Sequence, residues 1–287
     1  MGDTQSQCSK QDLFVVFGYL QEKRWQVNIM AYDYEWFKKT IFDLTKIDLN
    51  AYKEKQMKRR IDTLISKNGI SGYDKYVALI KENNTKFEEF VNYLTINVSE
   101  FYRNTDQWQV MDKEIIPGLI SRFGKHLKIW SAACSTGDEP YSLVMALSRH
   151  IPLDQIKIHA TDLDKQVIAK AKVGLYNEKS IAGVPDDLKR KYFTKVGLSY
   201  QISDEIKKRV EFSQHNLLKD NYGDGWHMIV CRNVLIYFTE EAKDEVFVKF
   251  QKSLASKGVL FIGSTEQIIN YKDIGYTRKN SFFYEKP

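Results

Sequence analysis

The chain is poor in cysteine, proline and long apolar runs, and each shortage excludes a class of protein. Its three cysteines, Cys8, Cys134 and Cys231, are odd in number and far apart, with no C-x-x-C pair. That excludes a disulfide-stapled scaffold and a zinc ribbon, and predicts reduced thiols in a reducing compartment, the cytoplasm. The five histidines (His126, His150, His159, His215 and His227) show no H-x-x-x-H or H-E-x-x-H spacing, so no metal site is expected. Five prolines and fifteen glycines leave no room for a collagen-like or low-complexity segment. Near the start the longest apolar run, residues 13–20, falls far short of the ~20 residues that span a bilayer. It also lacks the charged start and small-residue cleavage site of a secretory signal, so no membrane insertion is expected. Met1-Gly2-Asp3-Thr4-Gln5-Ser6 fits the loose myristoylation pattern, a match short enough to arise by chance and given no weight.

What is present is the balance of a soluble globular protein. There are 287 residues, 43% hydrophobic and 28% charged, enough for one large domain or two modest ones. A net charge of +6 permits an acidic partner without identifying one. Residues 1–30 form an extension to which no role can be assigned. Residues 31–96 read as helical throughout. Met57, Ile61, Leu64 and Ile65 make one helical stripe that Asn68-Gly69 stops, and residues 73–80 and 87–94 repeat the behaviour between breaks at Gly72 and Asn83-Asn84. This half is expected to be an all-α domain.

From His126 the rhythm changes. Residues 127–133, 156–162, 228–231 and 259–263 read as buried strands, with helices over 139–148, 165–172 and 240–254. Strand alternating with helix predicts a parallel α/β sheet, doubly wound and Rossmann-like. Residues 276–284 suggest a closing antiparallel strand. Residues 97–104 form a polar-aromatic linker, and a stretch over about residues 174–210, rich in Gly, Pro and charge, interrupts the rhythm as an insertion.

In such sheets the ligand lies beyond the carboxyl ends of the strands. The first strand leads into Ser131-Ala132-Ala133-Cys134-Ser135-Thr136-Gly137-Asp138-Glu139-Pro140, small residues that let a ligand approach the backbone, or simply a tight strand-to-helix turn. It is neither a G-x-G-x-x-G fingerprint nor a phosphate-binding P-loop. The second strand ends at Asp162, placed to accept both hydroxyls of a ribose; the alternative role, capping the next helix, suits Asp164 better. Together these features point to a nucleoside-bearing cofactor and fit NAD and S-adenosylmethionine alike. After the third strand, Arg232 and Asn233 would be costly if buried unpaired and are expected to face a site. Tyr237 either packs in the core or projects into the cleft, and Arg103 in the linker is either a solvated charge or a ligand of the same site.

Five motifs in order, N-V-S-E-F-Y-R-N from Asn97, W-S-A-A-C-S-T-G-D-E-P-Y-S from Trp130, A-T-D-L-D from Ala160, F-S-Q-H-N-L-L from Phe212 and C-R-N-V-L-I-Y-F from Cys231, closely resemble the bacterial chemotaxis receptor methyltransferases of the CheR type. The resemblance runs from about Leu49 to Tyr284 and includes G-S-T-E at 263–266. It implies an S-adenosylmethionine-dependent protein-glutamate O-methyltransferase of sensory adaptation: an all-α domain over 31–96, a linker at 97–104, and a class I methyltransferase domain over 105–287 whose insertion is a small β-subdomain. The product would be S-adenosylhomocysteine. By position, the resemblance implies cofactor contacts from Asn97, Ser99, Arg103, Glu139, Asp162, Asn216, Leu217, Arg232 and Asn233. Arg103 and Tyr237 match the pair that flanks the transferred methyl and the incoming carboxylate. Asp138 stands where the family has the first acid of G-E-E-P, a mild departure.

The chemistry implied needs no base. A glutamate carboxylate, with an ordinary pKa of about 4.3, is already an anionic nucleophile at neutral pH. Over residues 51–68 six cations, among them Lys53, Lys55, Lys58, Arg59 and Arg60, face two acids, leaving +4. By default this is a solvated helix face; the resemblance makes it a docking face for the cytoplasmic helical bundle of chemoreceptors, approached by a monomer. In some members the β-subdomain holds a receptor tether, and nothing in the sequence decides whether that site is kept. Two other functions were weighed. A nucleic-acid methyltransferase would carry an Asn/Asp-Pro-Pro-aromatic tetrad where this chain has Arg232-Asn233-Val234-Leu235, so no nucleic-acid partner is expected. A non-catalytic receptor-binding module would not need intact Arg103, Asp162 and Tyr237.

Overall fold

The computed structural model describes residues 32–287, and the extension before them, with Cys8, lies outside the described residues. The chain divides into two compact units. Of the described residues, one comprises 32–50 with Glu54–Phe87, the other Ala51–Lys53 with Glu88–Pro287.

The smaller unit is built from the helices Tyr34–Thr45, Glu54–Lys67 and Tyr73–Glu82 and the start of Asn84–Thr95. Asp33 begins the first helix by accepting the Trp36 N–H at 2.9 Å, the standard way to satisfy an orphan donor at a helix start. Gly69, at φ +70°, follows the end of the second and supplies the left-handed turn that a side chain disfavours. Met57, Ile61, Leu64 and Ile65 are all buried, as their spacing predicts, and pack in a core with Phe37, Ile41 and Tyr76, each fully enclosed. Each fully buried aliphatic or Phe side chain contributes roughly 1.5–3 kcal/mol.

The larger unit is centred on a seven-stranded sheet in the order β6-β2-β1-β7-β8-β10-β9, with β1 Ile129–Ser131, β2 Ile158–Asp162, β6 Val210–Gln214, β7 Trp226–Cys231, β8 Leu254–Ile262, β9 Thr277–Arg278 and β10 Phe283–Glu285. Strands β6, β2, β1, β7 and β8 run parallel. The helices Asp138–Leu147, Lys165–Val173 and Glu240–Ser253 lie between them in sequence. The order reverses between β1 and β7, the switch point of a doubly wound sheet. The expected closing strand is a hairpin, β9 and β10, with β10 antiparallel to β8. Residues 174–209 form the expected subdomain, a three-stranded antiparallel sheet of β3 Leu175–Asn177, β5 Ser199–Ile202 and β4 Phe193–Val196.

Two elements differ from the sequence reading. Val210, placed at the end of the insertion, opens β6, an edge strand of the main sheet. Its side chains are half-exposed or exposed, so it lacks the apolar run of its buried neighbours. Residues 105–123, to which no element was assigned, form the helices Thr105–Val110 and Ile116–Phe123 joined by a π-helical turn, Met111–Ile115. Trp108, Met111, Ile115, Ile116 and Leu119 from this segment are buried in the main core.

Candidate active site

A cleft opens beyond the carboxyl ends of β1, β2, β6 and β7. All ten residues assigned to the cofactor or the reaction (Asn97, Ser99, Arg103, Glu139, Asp162, Asn216, Leu217, Arg232, Asn233 and Tyr237) line it. The five basic docking residues do not. Lys53 lies in the larger unit, 3.9 Å from Glu240, while Lys55, Lys58 and Arg59 line a shallow groove on the helix Glu54–Lys67, where Lys58 pairs with Asp62 at 2.9 Å.

The turn after β1 approaches the cleft in strained backbone. Ser135 has φ +46°, and the cleft residues Ile96 and Asn233 have φ +49° and +62°, while Tyr102 and Asn104, which flank Arg103, stand at +51° and +63°. Three of the seven non-glycine residues with positive φ among those described thus line the cleft and two more flank its Arg103, and such strain persists only where the surroundings over-determine it.

Asp162, 8% exposed, ends β2. Its Oδ2 accepts the Ser135 N–H at 2.8 Å and its Oδ1 the Asp164 N–H at 3.0 Å, and the Leu163 N–H also bonds the carboxylate, which still leaves it lone-pair capacity for a ligand. Burial pushes its carboxyl up to about 6, against the pull of those N–H donors. Asp164 takes the capping role expected of it: Oδ1 accepts the Gln166 N–H at 2.8 Å. Its Oδ2 also accepts from Asn97 Nδ2 at 3.1 Å, so Asn97 has its carbonyl oxygen left for a ligand. Across the cleft, Asn216 Oδ1 accepts the Leu218 N–H at 2.9 Å and shapes the loop after β6, beside buried Leu217.

Glu139 forms the second acidic point. It accepts from Ser131 Oγ at 2.8 Å and lies 3.8 Å from Arg232 Nη1. Burial pushes its carboxyl up to about 7, only partly offset by Arg232 and the Ser131 hydroxyl and reinforced by Glu266. Asp138, also buried, has its carboxyl raised by desolvation while Thr136 holds one oxygen at 2.6 Å. Ser99 adds a hydrogen bond to Asp138 that favours the ionised form.

Arg232 is not a solvated arginine. It is 7% exposed and lies over the Phe261 ring at 4.6 Å. Its Nη2 donates to Arg103 O at 2.8 Å, Asn104 Oδ1 at 2.9 Å and Gln107 Oε1 at 3.0 Å. The guanidinium therefore fastens the 97–104 linker to the end of β7. Arg103 is half-exposed and its Nη1 reaches only Val98 O, at 3.5 Å, a weak contact that leaves its head available. Tyr237 is also half-exposed, on a 3₁₀ turn Leu235–Tyr237, and so projects into the cleft rather than into the core. Its carbonyl accepts the Lys53 N–H at 2.9 Å, and Tyr52 packs edge-on against Phe238 at 4.9 Å.

Sequence reasoning missed Gln107, Tyr52, Trp108 and Glu266. The first anchors Arg232, and the next two line the cleft. Glu266, 3% exposed, accepts N–H groups from the loop after β7; burial pushes its carboxyl up against their pull. The resemblance takes it in as the last residue of G-S-T-E at 263–266 but gives it no role.

The cleft suits a cationic, hydroxyl-bearing nucleoside. It carries one buried carboxyl group, Asp162, and one largely withdrawn from water, Glu139, and three of its lining residues have buried polar atoms without a protein partner: Ser135 Oγ, His215 Nε2 and Arg232 Nε. Buried polar groups are rarely left so, and a ligand would satisfy them.

Residues 97–281 match the family described as CheR methyltransferase, SAM binding domain, and residues 32–95 match CheR methyltransferase, all-alpha domain. A chemotaxis protein methyltransferase of Listeria innocua is 41% identical over 88% of this chain and 97% of its own length. One from Listeria monocytogenes is 40% identical over the same shares. The chemotaxis protein methyltransferase 2 of Vibrio cholerae is 31% identical over 82% of this chain and 84% of its own. With both family models matched in order and the strand-end residues gathered in one cleft, the chain belongs to the CheR family of S-adenosylmethionine-dependent methyltransferases.

Proposed function

We propose that the protein methylates glutamate side chains of chemoreceptors in the cytoplasm, giving glutamyl methyl esters and S-adenosylhomocysteine for sensory adaptation, and that it works as a monomer on the receptors' helical bundle. The observation that carries this reading is one cleft holding a strand-end acid, Asp162, a second acid largely withdrawn from water, Glu139, and the half-exposed Arg103 and Tyr237. S-adenosylmethionine supplies a methyl group on a sulfonium centre, an electrophile in need of an anionic acceptor and no proton transfer. Asp162 takes the ribose hydroxyls on its free lone pairs. Glu139 faces the cationic end of the cofactor, Asn97, Ser99 and Asn233 hold its polar groups, and Asn216 with Leu217 holds the adenine. Arg103 orients a carboxylate, and Tyr237 aligns the acceptor oxygen.

A carboxylate attacking a sulfonium neutralises both charges, so the barrier is lowered by alignment and water exclusion rather than by a base. Each of these supplies several kcal/mol. The helical segment through residue 96 carries the basic docking face, with Lys55, Lys58, Arg59 and Arg60 on one helix and Lys53 just before it. These cations attract an acidic helical partner and raise the encounter rate. The deciding experiment is methyl transfer from labelled S-adenosylmethionine to a chemoreceptor cytoplasmic fragment, followed by alkali. Release of the label as methanol establishes a carboxyl ester; label stable to alkali places the methyl on nitrogen and refutes the glutamate assignment.

A further inference from the structure

The loop that carries Asn233 and Tyr237 is held from behind by a carboxylate that does not line the cleft. Glu266 Oε2 accepts the N–H of Asn233 at 2.7 Å and of Gly263 at 2.9 Å, and Oε1 accepts the N–H of Leu235 at 2.7 Å. One side chain thus binds both ends of the gap between β7 and the loop after β8. The backbone it restrains is otherwise unfavourable: Asn233 sits at φ +62°, where a non-glycine residue stays only if held. Position 263 must be glycine for the clamp to close. A Cβ there would lie 2.5 Å from Glu266 Oε2 and 2.9 Å from Asn233 N.

Leu235 opens the 3₁₀ turn that ends at Tyr237. The Tyr237 N–H is bonded within that turn to Val234 O at 3.3 Å, so the orientation of the tyrosine follows from where the turn is pinned. Arg232, one residue before the clamp, is fixed independently by the linker. The clamp therefore governs the segment from Asn233 onward and not the end of the strand.

We infer that Glu266 is a positioning residue for methyl transfer, whose carboxylate sets the turn that presents Tyr237 to the acceptor. The inference rests on the assignment of Tyr237 to the reaction. Glu266→Gln keeps the shape but sets an amide N–H₂ against a backbone N–H on one side of the clamp. A shift of about 1 Å in a reacting group lowers the rate on the order of 100-fold.

The test compares wild type, Glu266→Gln and Gly263→Ala. The second variant wedges the clamp open with the carboxylate intact, and serves should the first fail to fold. In either variant, turnover is expected to fall on the order of 100-fold while cofactor affinity, held chiefly by Asp162 and Glu139 on other elements and only in part by Asn233 on the clamped loop, changes less than about tenfold. Combined with Tyr237→Phe, the loss is expected to be non-additive, because the two residues act as one unit. Hydrogen exchange over residues 232–238, which needs no substrate, is expected to accelerate in both variants. Unchanged exchange, or unchanged turnover in a folded variant, overturns the clamp. So does a loss of cofactor affinity equal to the loss of turnover, or strict additivity with Tyr237→Phe. A wild type that binds cofactor but methylates no receptor would instead refute the proposed substrate, and the exchange measurement would still judge the clamp.

Discussion

With Glu139 facing the cationic end of the cofactor, as proposed, cofactor binding is expected to be sensitive to pH near neutrality. Its carboxyl is pushed up to about 7 by burial, with Glu266 nearby adding to the shift and Arg232 and Ser131 opposing it. A cationic ligand needs the ionised form, so below about pH 7 binding must first expel a proton. For one group at that pKa, affinity is expected to fall about tenfold from pH 8 to pH 6, with Asp162, at about 6, adding roughly a further factor of two. The sign on stability is the opposite. Between the ordinary value of 4.5 and about 7 the folded protein keeps a proton that the unfolded chain has lost. Without ligand, therefore, stability declines as pH rises through that window.

Calorimetry at pH 7 in two buffers of different ionisation enthalpy should register the release of about half a proton per cofactor bound. Glu139→Gln should bind more weakly at pH 8, release no such proton, and flatten the profile to the shallow slope left by Asp162. If wild type releases no proton, or if the glutamine variant keeps the tenfold slope, the pairing of Glu139 with the cationic end of the cofactor is wrong.

Removing Asp162 deletes a charged acceptor worth about 1.5–3 kcal/mol per hydrogen bond, so Asp162→Ala should weaken cofactor binding at least tenfold; an unchanged dissociation constant would sink the ribose assignment. Arg103→Ala should abolish methyl transfer with the melting temperature hardly moved, since that side chain makes only one weak contact, and a near-normal rate would retire its role. Reversing Lys58, Arg59 and Arg60 to Glu should raise the KM for receptor far more than the dissociation constant for cofactor. Equal methylation by this variant at low and high salt would show the helix face to be merely solvated.

Much of the site was legible because topology does the gathering. A doubly wound sheet brings the ends of β1, β2, β6 and β7 to one edge whatever the distance between them in sequence. An acid closing one apolar run (Asp162), small residues after another, and Arg232-Asn233 after a third can thus be placed in one cleft before any contact is known. The helical unit was legible for a local reason, since the stripe through Met57 and Leu64 needs only the 3.6-residue period. What escaped had no local signature. Strand β6 is a half-exposed edge, so its Val-Glu-Phe-Ser-Gln pattern carries no buried run. The helices of 105–123 are short and interrupted by a π-helical turn, and Pro117 sits in the first turn of Ile116–Phe123, where the missing N–H is tolerated.

The residues that hold the site rigid are the least legible of all, for a physical reason. Gln107 meets Arg232 across 125 residues and Glu266 meets Asn233 across 33; Gln107 has no pattern to distinguish it from a surface polar residue, and G-S-T-E marks Glu266 without telling what it binds. Their function exists only once the chain is folded, when an arginine and a strained turn are withdrawn from water and must find partners. In this cleft several of the groups proposed to touch ligand, Asp162, Arg232 and Asn233 among them, sit where strands end, a position the sequence reveals. The groups that aim them sit wherever the fold happens to pass behind. A variant scan guided by expected ligand contact alone would therefore choose Asp162 and Arg103 and pass over Gln107 and Glu266, although a misaimed Tyr237 is expected to slow turnover as surely as a missing one.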